Sequence, residues 1–156
     1  MKKKILILDD KEMIAKVVSM YLAGDYSVQW LSDGLEGLKW LKAGNVPDLI
    51  ITDIRMPGMR GDDFLEWVKQ NESLSRIPVI MLSSEDSTSE RIRMLKIGAE
   101  DYIVKPFNPL ELQTRIKKIL GLKTSDQHIT PMLVSDKEVM VIGDSDLGDG
   151  QPPHFK

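Results

Sequence analysis

The stretch DLIITDIRMPGMRG, residues 48–61, decides the fold. Leu49, Ile50 and Ile51 form a continuous apolar run rather than an alternating one, the pattern of a strand covered on both faces. The run closes on an acid, Asp53, and then breaks at Pro57-Gly58. Four similar runs lie on either side: Ile5–Leu8, Ser27–Leu31, Val79–Leu82 and Tyr102–Val104. The second of the five, with Gln29 inside it, is mixed and suits an edge strand.

Between the runs the apolar residues take helical spacing. Met13, Ile14, Val17, Val18, Tyr21 and Leu22 make one stripe; Leu35, Leu38 and Leu41 make another behind Asp33 as N-cap. Phe64, Leu65 and Val68 form a third behind Asp62-Asp63, which reads as its cap. Ile92 and Leu95, with Met94 or Ile97, form a fourth, and Leu112, Ile116, Ile119 and Leu120 a fifth. The fifth is punctuated by Asn108 as N-cap, Pro109 in the first turn, Glu111 at capping-box spacing and Gly121 at its end. Strand and helix thus alternate five times. The reading is an α/β fold, a doubly wound five-stranded parallel sheet with five helices.

The chain has 156 residues and a net charge of −3, which excludes a broad basic surface for nucleic acid. Residues 1–121 carry 18 basic and 18 acidic side chains; residues 122–156 carry three and six. With the change in texture, this places a domain boundary near Gly121. The acidic extension 122–156 suggests a hairpin over 129–142, with a disordered stretch after it, and reads as an extension or a truncated linker. There is no cysteine, hence no thiolate metal site or thiol nucleophile. No run approaches the ~18 apolar residues of a membrane span, and Met1–Leu8 is too short for a secretory signal. The expectation is a cytoplasmic protein with no membrane contact.

Open parallel sheets bind ligands beyond the carboxyl ends of their strands. Strand one ends in Asp9-Asp10, strand three in Asp53, strand four in Ser83-Ser84 and strand five in Lys105-Pro106. Taken singly, each residue has an ordinary structural use: Asp10, Ser83 or Ser84 as helix caps, Lys105 as a solvated cation. If strands one, three and four are neighbours, three carboxylates, a hydroxyl and an ammonium converge on one crevice. Carboxylates so placed raise one another's pKa unless a cation neutralises them, and a hard divalent ion does so with oxygen ligands. The set reads as Mg²⁺-dependent phosphoryl transfer to a carboxylate, with lysine as counter-charge.

These residues, with DLIITDIRMPGMRG and GAEDYIVKPF (98–107), make the chain resemble the receiver domain of two-component response regulators over about residues 3–121. The resemblance implies a flavodoxin-like strand order 2-1-3-4-5, and Asp53 as the acceptor of a phosphoryl group from a sensor histidine kinase or phosphotransfer protein. It implies Mg²⁺ on Asp10, Asp53 and the backbone carbonyl of Arg55, with Asp9 acting mainly through a bound water. It implies phosphate contacts from Ser83, the Ser84 amide and Lys105, a cis Lys105-Pro106 bond, and Tyr102 as a switch coupled to Ser83. Arg55 and Glu85 stand where the family tunes dephosphorylation. The face of helix 4, strand 5 and helix 5 would carry the output. A symmetric dimer there would use Arg91 with Glu111 and Asp101 with Arg115, while Ile97 and Leu122 replace a third charge pair. The implied protein is a regulator rather than an enzyme. The alternative from another class is a Mg²⁺-dependent phosphatase of the haloacid-dehalogenase type. That chemistry wants a second acid two residues after the nucleophile, where Arg55 stands. The three tryptophans read as packing.

Overall fold

The computed structural model describes residues 1–121 together with 140–141 and 154–155. Five strands and five helices alternate: β1 (Lys3–Leu8), α1 (Glu12–Leu22), β2 (Tyr26–Leu31), α2 (Gly34–Lys42), β3 (Leu49–Asp53), α3 (Gly61–Gln70), β4 (Val79–Ser83), α4 (Thr88–Ile97), β5 (Asp101–Val104) and α5 (Pro109–Leu120). The sheet order is β2-β1-β3-β4-β5 and every pairing is parallel. β1, β3 and β4 are therefore neighbours, with β2 and β5 at the edges.

The continuous apolar runs divide by strand alternation between two cores. Ile5, Ile7, Leu49, Ile51, Ile80 and Leu82 face α1 and α5, where Ile14, Val18, Leu112 and Ile116 meet them. Leu6, Leu8, Ile50, Val79 and Met81 face the other way, onto Leu41 of α2, Phe64, Leu65 and Val68 of α3, and Met94 of α4. Nearly all of these side chains are fully buried. A strand with one core on each side has no polar face, which is why its sequence does not alternate.

The helix starts agree in part. Asp33 accepts from the Glu36 N–H and Asn108 from the Leu110 N–H. Glu111 does not close a capping box: its carboxylate turns to Arg115 at 2.8 Å. Asp62-Asp63 does not cap α3 either, since the N-cap is Arg60 without a side-chain bond. Asp62 is buried and accepts instead from Arg60 at 3.0 Å and from Arg93 of α4 at 2.9 Å. The fourth stripe is also revised. α4 buries Met94, while Ile92 and Leu95 are 45% and 44% exposed, because the helix rests on the sheet by one edge beside Tyr102 and Ala99. Met13 and Leu35 likewise lie outside the core. α4 takes its cap from Ser87, which accepts from the Glu90 N–H.

Met140–Val141 pairs antiparallel with His154–Phe155. The rest of 122–156, including the expected partner strand at 129–134 and Leu122, lies outside the described residues.

Candidate functional site

The sheet order carries Asp9-Asp10, Asp53, Ser83-Ser84 and Lys105 to one end of adjacent strands. Asp10, Asp53, Arg55, Ser83, Ser84 and Glu85, with Lys11, line a cleft of about 530 Å³ there. Asp9 sits beneath it, fully buried. Carboxylate oxygens of Asp9, Asp10 and Asp53 lie within 4.8 Å of one another. Asp10 is the exposed member, and it does not cap α1, whose N-cap is Lys11 without a side-chain bond.

Lys105 is the cation of this group. Its Nζ donates to Asp9 Oδ2 and to Asp53 Oδ2, both at 3.2 Å, and its side chain is 1% exposed. The peptide to Pro106 is cis, and the Lys105 N–H donates to the Ser83 carbonyl at 2.7 Å. Asp53 is held from behind: the Ile54 N–H donates to its Oδ1 at 2.8 Å, and the Thr52 hydroxyl donates to its carbonyl at 2.8 Å. Ser83 Oγ accepts from the Glu85 N–H at 3.0 Å.

The loop after Asp53 depends on glycine twice. Gly58 has φ +80°, a conformation that side chains rarely adopt. Gly61 opens α3 against the strand end, where a Cβ would fall on the Asp53 carbonyl oxygen; its N–H donates to the Ile54 carbonyl at 2.7 Å.

Burial pushes the Asp9 carboxyl up to about 6; the Lys105 ammonium opposes this and the Asp53 charge adds to it. Three carboxylates with one lysine leave an excess of negative charge in a partly enclosed space. All the available donors are oxygens. That donor set fits a hard divalent cation such as Mg²⁺.

Arg55 and Glu85 meet across the cleft mouth at 3.7 Å, both substantially exposed. Tyr102 lies behind Ser83, turned inward and 1% exposed, with its hydroxyl donating to the Glu85 carbonyl at 2.7 Å. Burial raises its phenol, and the neighbouring Ser83 hydroxyl acts in the opposite direction. Arg91 covers the ring at 5.2 Å and donates to the Tyr102 carbonyl at 3.3 Å. Asp101, Glu111 and Arg115 are not at the cleft. Arg115 bonds both acids within the chain at 2.8 Å.

Two contacts to the site were not expected from sequence. The Trp30 indole N–H donates to the Asp9 carbonyl at 2.8 Å, and Thr52 supports Asp53. The position of Trp30 at the end of β2, beside the β1 end, was the available signal for the first.

Residues 5–117 match the model of the response regulator receiver domain. The chain is 37% identical over 118 residues to the chemotaxis protein CheY-3 of Vibrio cholerae, covering 74% of this chain and 90% of that protein. It is 36% identical over 158 residues to the alkaline phosphatase synthesis transcriptional regulatory protein PhoP of Bacillus subtilis, covering all of this chain and 63% of that one. Among solved structures, the Francisella response regulator 1452 receiver domain aligns with a TM-score of 0.72 at 31% identity, covering 77% of this chain and 98% of that one. The curated relatives also include a hybrid signal transduction histidine kinase of Dictyostelium discoideum, of which the chain spans 8%. Like PhoP, several of these relatives are much longer than the part matched.

Proposed function

The chain belongs to the response regulator receiver domain family, and on that premise we propose that it is a cytoplasmic signalling module whose Asp53 accepts a phosphoryl group from a histidine kinase or phosphotransfer protein. The single observation that carries this reading is the Lys105 ammonium bonded to both Asp53 and Asp9 at 3.2 Å. A buried cation there stabilises charge that develops on a phosphoryl oxygen next to the Asp53 carboxylate.

In the transfer, an Asp53 carboxylate oxygen attacks phosphorus, the P–N bond to the donor imidazole breaks with its electron pair going to that nitrogen, and the ring leaves as neutral imidazole because its other nitrogen carries the proton. Asp53 becomes an acyl phosphate. Asp10 and Asp53, with the Arg55 carbonyl and Asp9 through water, are the residues that would hold Mg²⁺. The ion, when bound, neutralises charge on the phosphoryl oxygens. Ser83 and the Ser84 N–H contact the product phosphate, and the Glu85–Arg55 pair controls the approach of water to it. The chain's own chemistry is limited to accepting and slowly losing this group.

The output runs through Tyr102. Its ring lies behind Ser83 and under Arg91, so a shift of the Ser83 hydroxyl toward phosphate is felt on the α4–β5–α5 face. Ile92 and Leu95 are apolar contacts on that face for a partner domain or second copy.

Incubation with acetyl phosphate and Mg²⁺ tests the reading. The expected result is one added phosphate by intact mass, and none when the metal is chelated before the donor is added. No phosphate taken up at any Mg²⁺ concentration would overturn it.

A further inference from the structure

Trp30 is the next-to-last residue of β2 and pairs in register with Ile7 of β1. The β1–β2 ladder ends where the Asp9 N–H donates to the Leu31 carbonyl at 3.2 Å. Beyond Leu31 the chain leaves the sheet for α2, and the Asp9 carbonyl is met by the Trp30 indole N–H at 2.8 Å.

That carbonyl belongs to the peptide unit joining Asp9 to Asp10. The unit is planar, so a bond to its oxygen restrains its rotation and with it the direction in which the chain carries Asp10. The remaining polar groups of Asp9 are also engaged. Its Oδ1 accepts from the Lys11 N–H at 2.8 Å and its Oδ2 from Lys105. Asp10 is exposed and shows no comparable hydrogen bond among the described residues, and α1 begins without a side-chain cap. The backbone on its Asp9 side therefore sets where its carboxylate stands. The ring packs against the edge of the core on the α1 side, and Ala15, Lys16, Ser19 and Met20 of α1, with its C-cap Ala23, face it across a cleft.

We infer that Trp30 is a positioning residue for the divalent-cation site: its N–H holds the Asp9–Asp10 peptide so that the two carboxylates reach one ion with Asp53. This rests on the reading of the acidic cluster as a Mg²⁺ site. A residue that only fills space would be replaceable by another aromatic ring; one that positions the peptide requires the N–H.

Calorimetric Mg²⁺ titration of the full chain tests the inference. Trp30→Phe keeps a ring and removes the donor. Loss of one neutral hydrogen bond predicts a Mg²⁺ dissociation constant about threefold to tenfold higher. Met20→Ala opens the same cleft, leaves the N–H in place and should leave the affinity unchanged. In the unsubstituted protein, the Trp30 indole ¹⁵N–H resonance should shift with Mg²⁺ and saturate together with the calorimetric curve; this measurement decides the matter if Trp30→Phe does not fold. Equal Mg²⁺ affinity in Trp30→Phe, or an indole resonance unmoved at saturating Mg²⁺, overturns the inference and leaves the metal site standing. Absence of Mg²⁺ binding by the unsubstituted protein overturns the metal site itself, and the inference with it.

Discussion

Lys105 donates to Asp53 across the carboxyl edge of the sheet, Nζ to Oδ2 at 3.2 Å, from β5 to β3 with β4 between them. The ammonium also reaches Asp9 of β1, so one cation ties together three elements distant in sequence. The cation only partly compensates the acids around it.

The first prediction concerns metal-free stability. The Asp9 carboxyl is raised from 3.8 to about 6, chiefly by burial. A raised acid contributes stability below its unfolded pKa and loses it as pH climbs through the folded value. Ionised Asp9 therefore costs the metal-free fold roughly 3 kcal/mol at neutral pH. Asp9→Asn should raise the Tm at pH 7.5 in the presence of chelator, and the gain should shrink from pH 6 to pH 4. A variant less stable than wild type at pH 7.5 would show that Lys105 requires Asp9 more than burial penalises it.

The second concerns the α3–α4 contact. Asp62 is buried, which alone would raise its pKa, yet the bonds from Arg93 and Arg60 outweigh this and hold it below the ordinary value. Its contribution is present above pH 4 and lost as pH falls through the folded value. Asp62→Asn should cost about 1–3 kcal/mol in urea unfolding at pH 7, with the gap closing as the pH falls below the lowered folded value. Equal stability at pH 7 would mean that the arginines do no more for Asp62 than water.

These two residues also mark what was legible in the sequence. The acids, hydroxyl and lysine could be found because each ends a continuous apolar run, and strand ends in a parallel sheet share one edge. Asp33 and Asn108 were readable as caps because capping is local. Asp62 was misread as a cap because its partner Arg93 is 31 residues away on another helix. Ile92 and Leu95 have helical spacing, but how α4 tilts against the sheet decides which of its apolar residues are covered, and Met94 is the one buried. Trp30 looked like packing since an indole carries no local sign of the carbonyl it meets.

The third prediction is turnover of the acyl phosphate. Arg55 and Glu85 face each other at 3.7 Å over the cleft. The double replacement Arg55→Ala, Glu85→Ala should change the lifetime of phosphorylated Asp53, followed by intact mass after donor removal, by about threefold or more while Mg²⁺ affinity changes less. An unchanged lifetime would dismiss the pair as a control on water.

The fourth is association. Arg115 holds Asp101 and Glu111 within one chain, so a dimer across α4–β5–α5 must exchange these pairs rather than create them. Exposed pairs contribute about 0–1 kcal/mol each, so they select register while Ile92, Leu95 and Ile97 supply contact area. Sedimentation should show a weak dimer strengthened by beryllofluoride and Mg²⁺, and weakened by Arg115→Glu. A monomer in both states at high micromolar concentration would remove the dimer.

Asp53 is the residue expected to carry the phosphoryl group. Borohydride reduces an aspartyl phosphate to homoserine, so peptide mapping after reaction with acetyl phosphate and Mg²⁺ reads the site directly. Homoserine is expected at position 53 alone, and none in Asp53→Asn, because an amide is not a nucleophile of this kind. Homoserine at position 9 or 10 in the wild-type chain, or undiminished phosphate uptake by Asp53→Asn, would contradict this assignment.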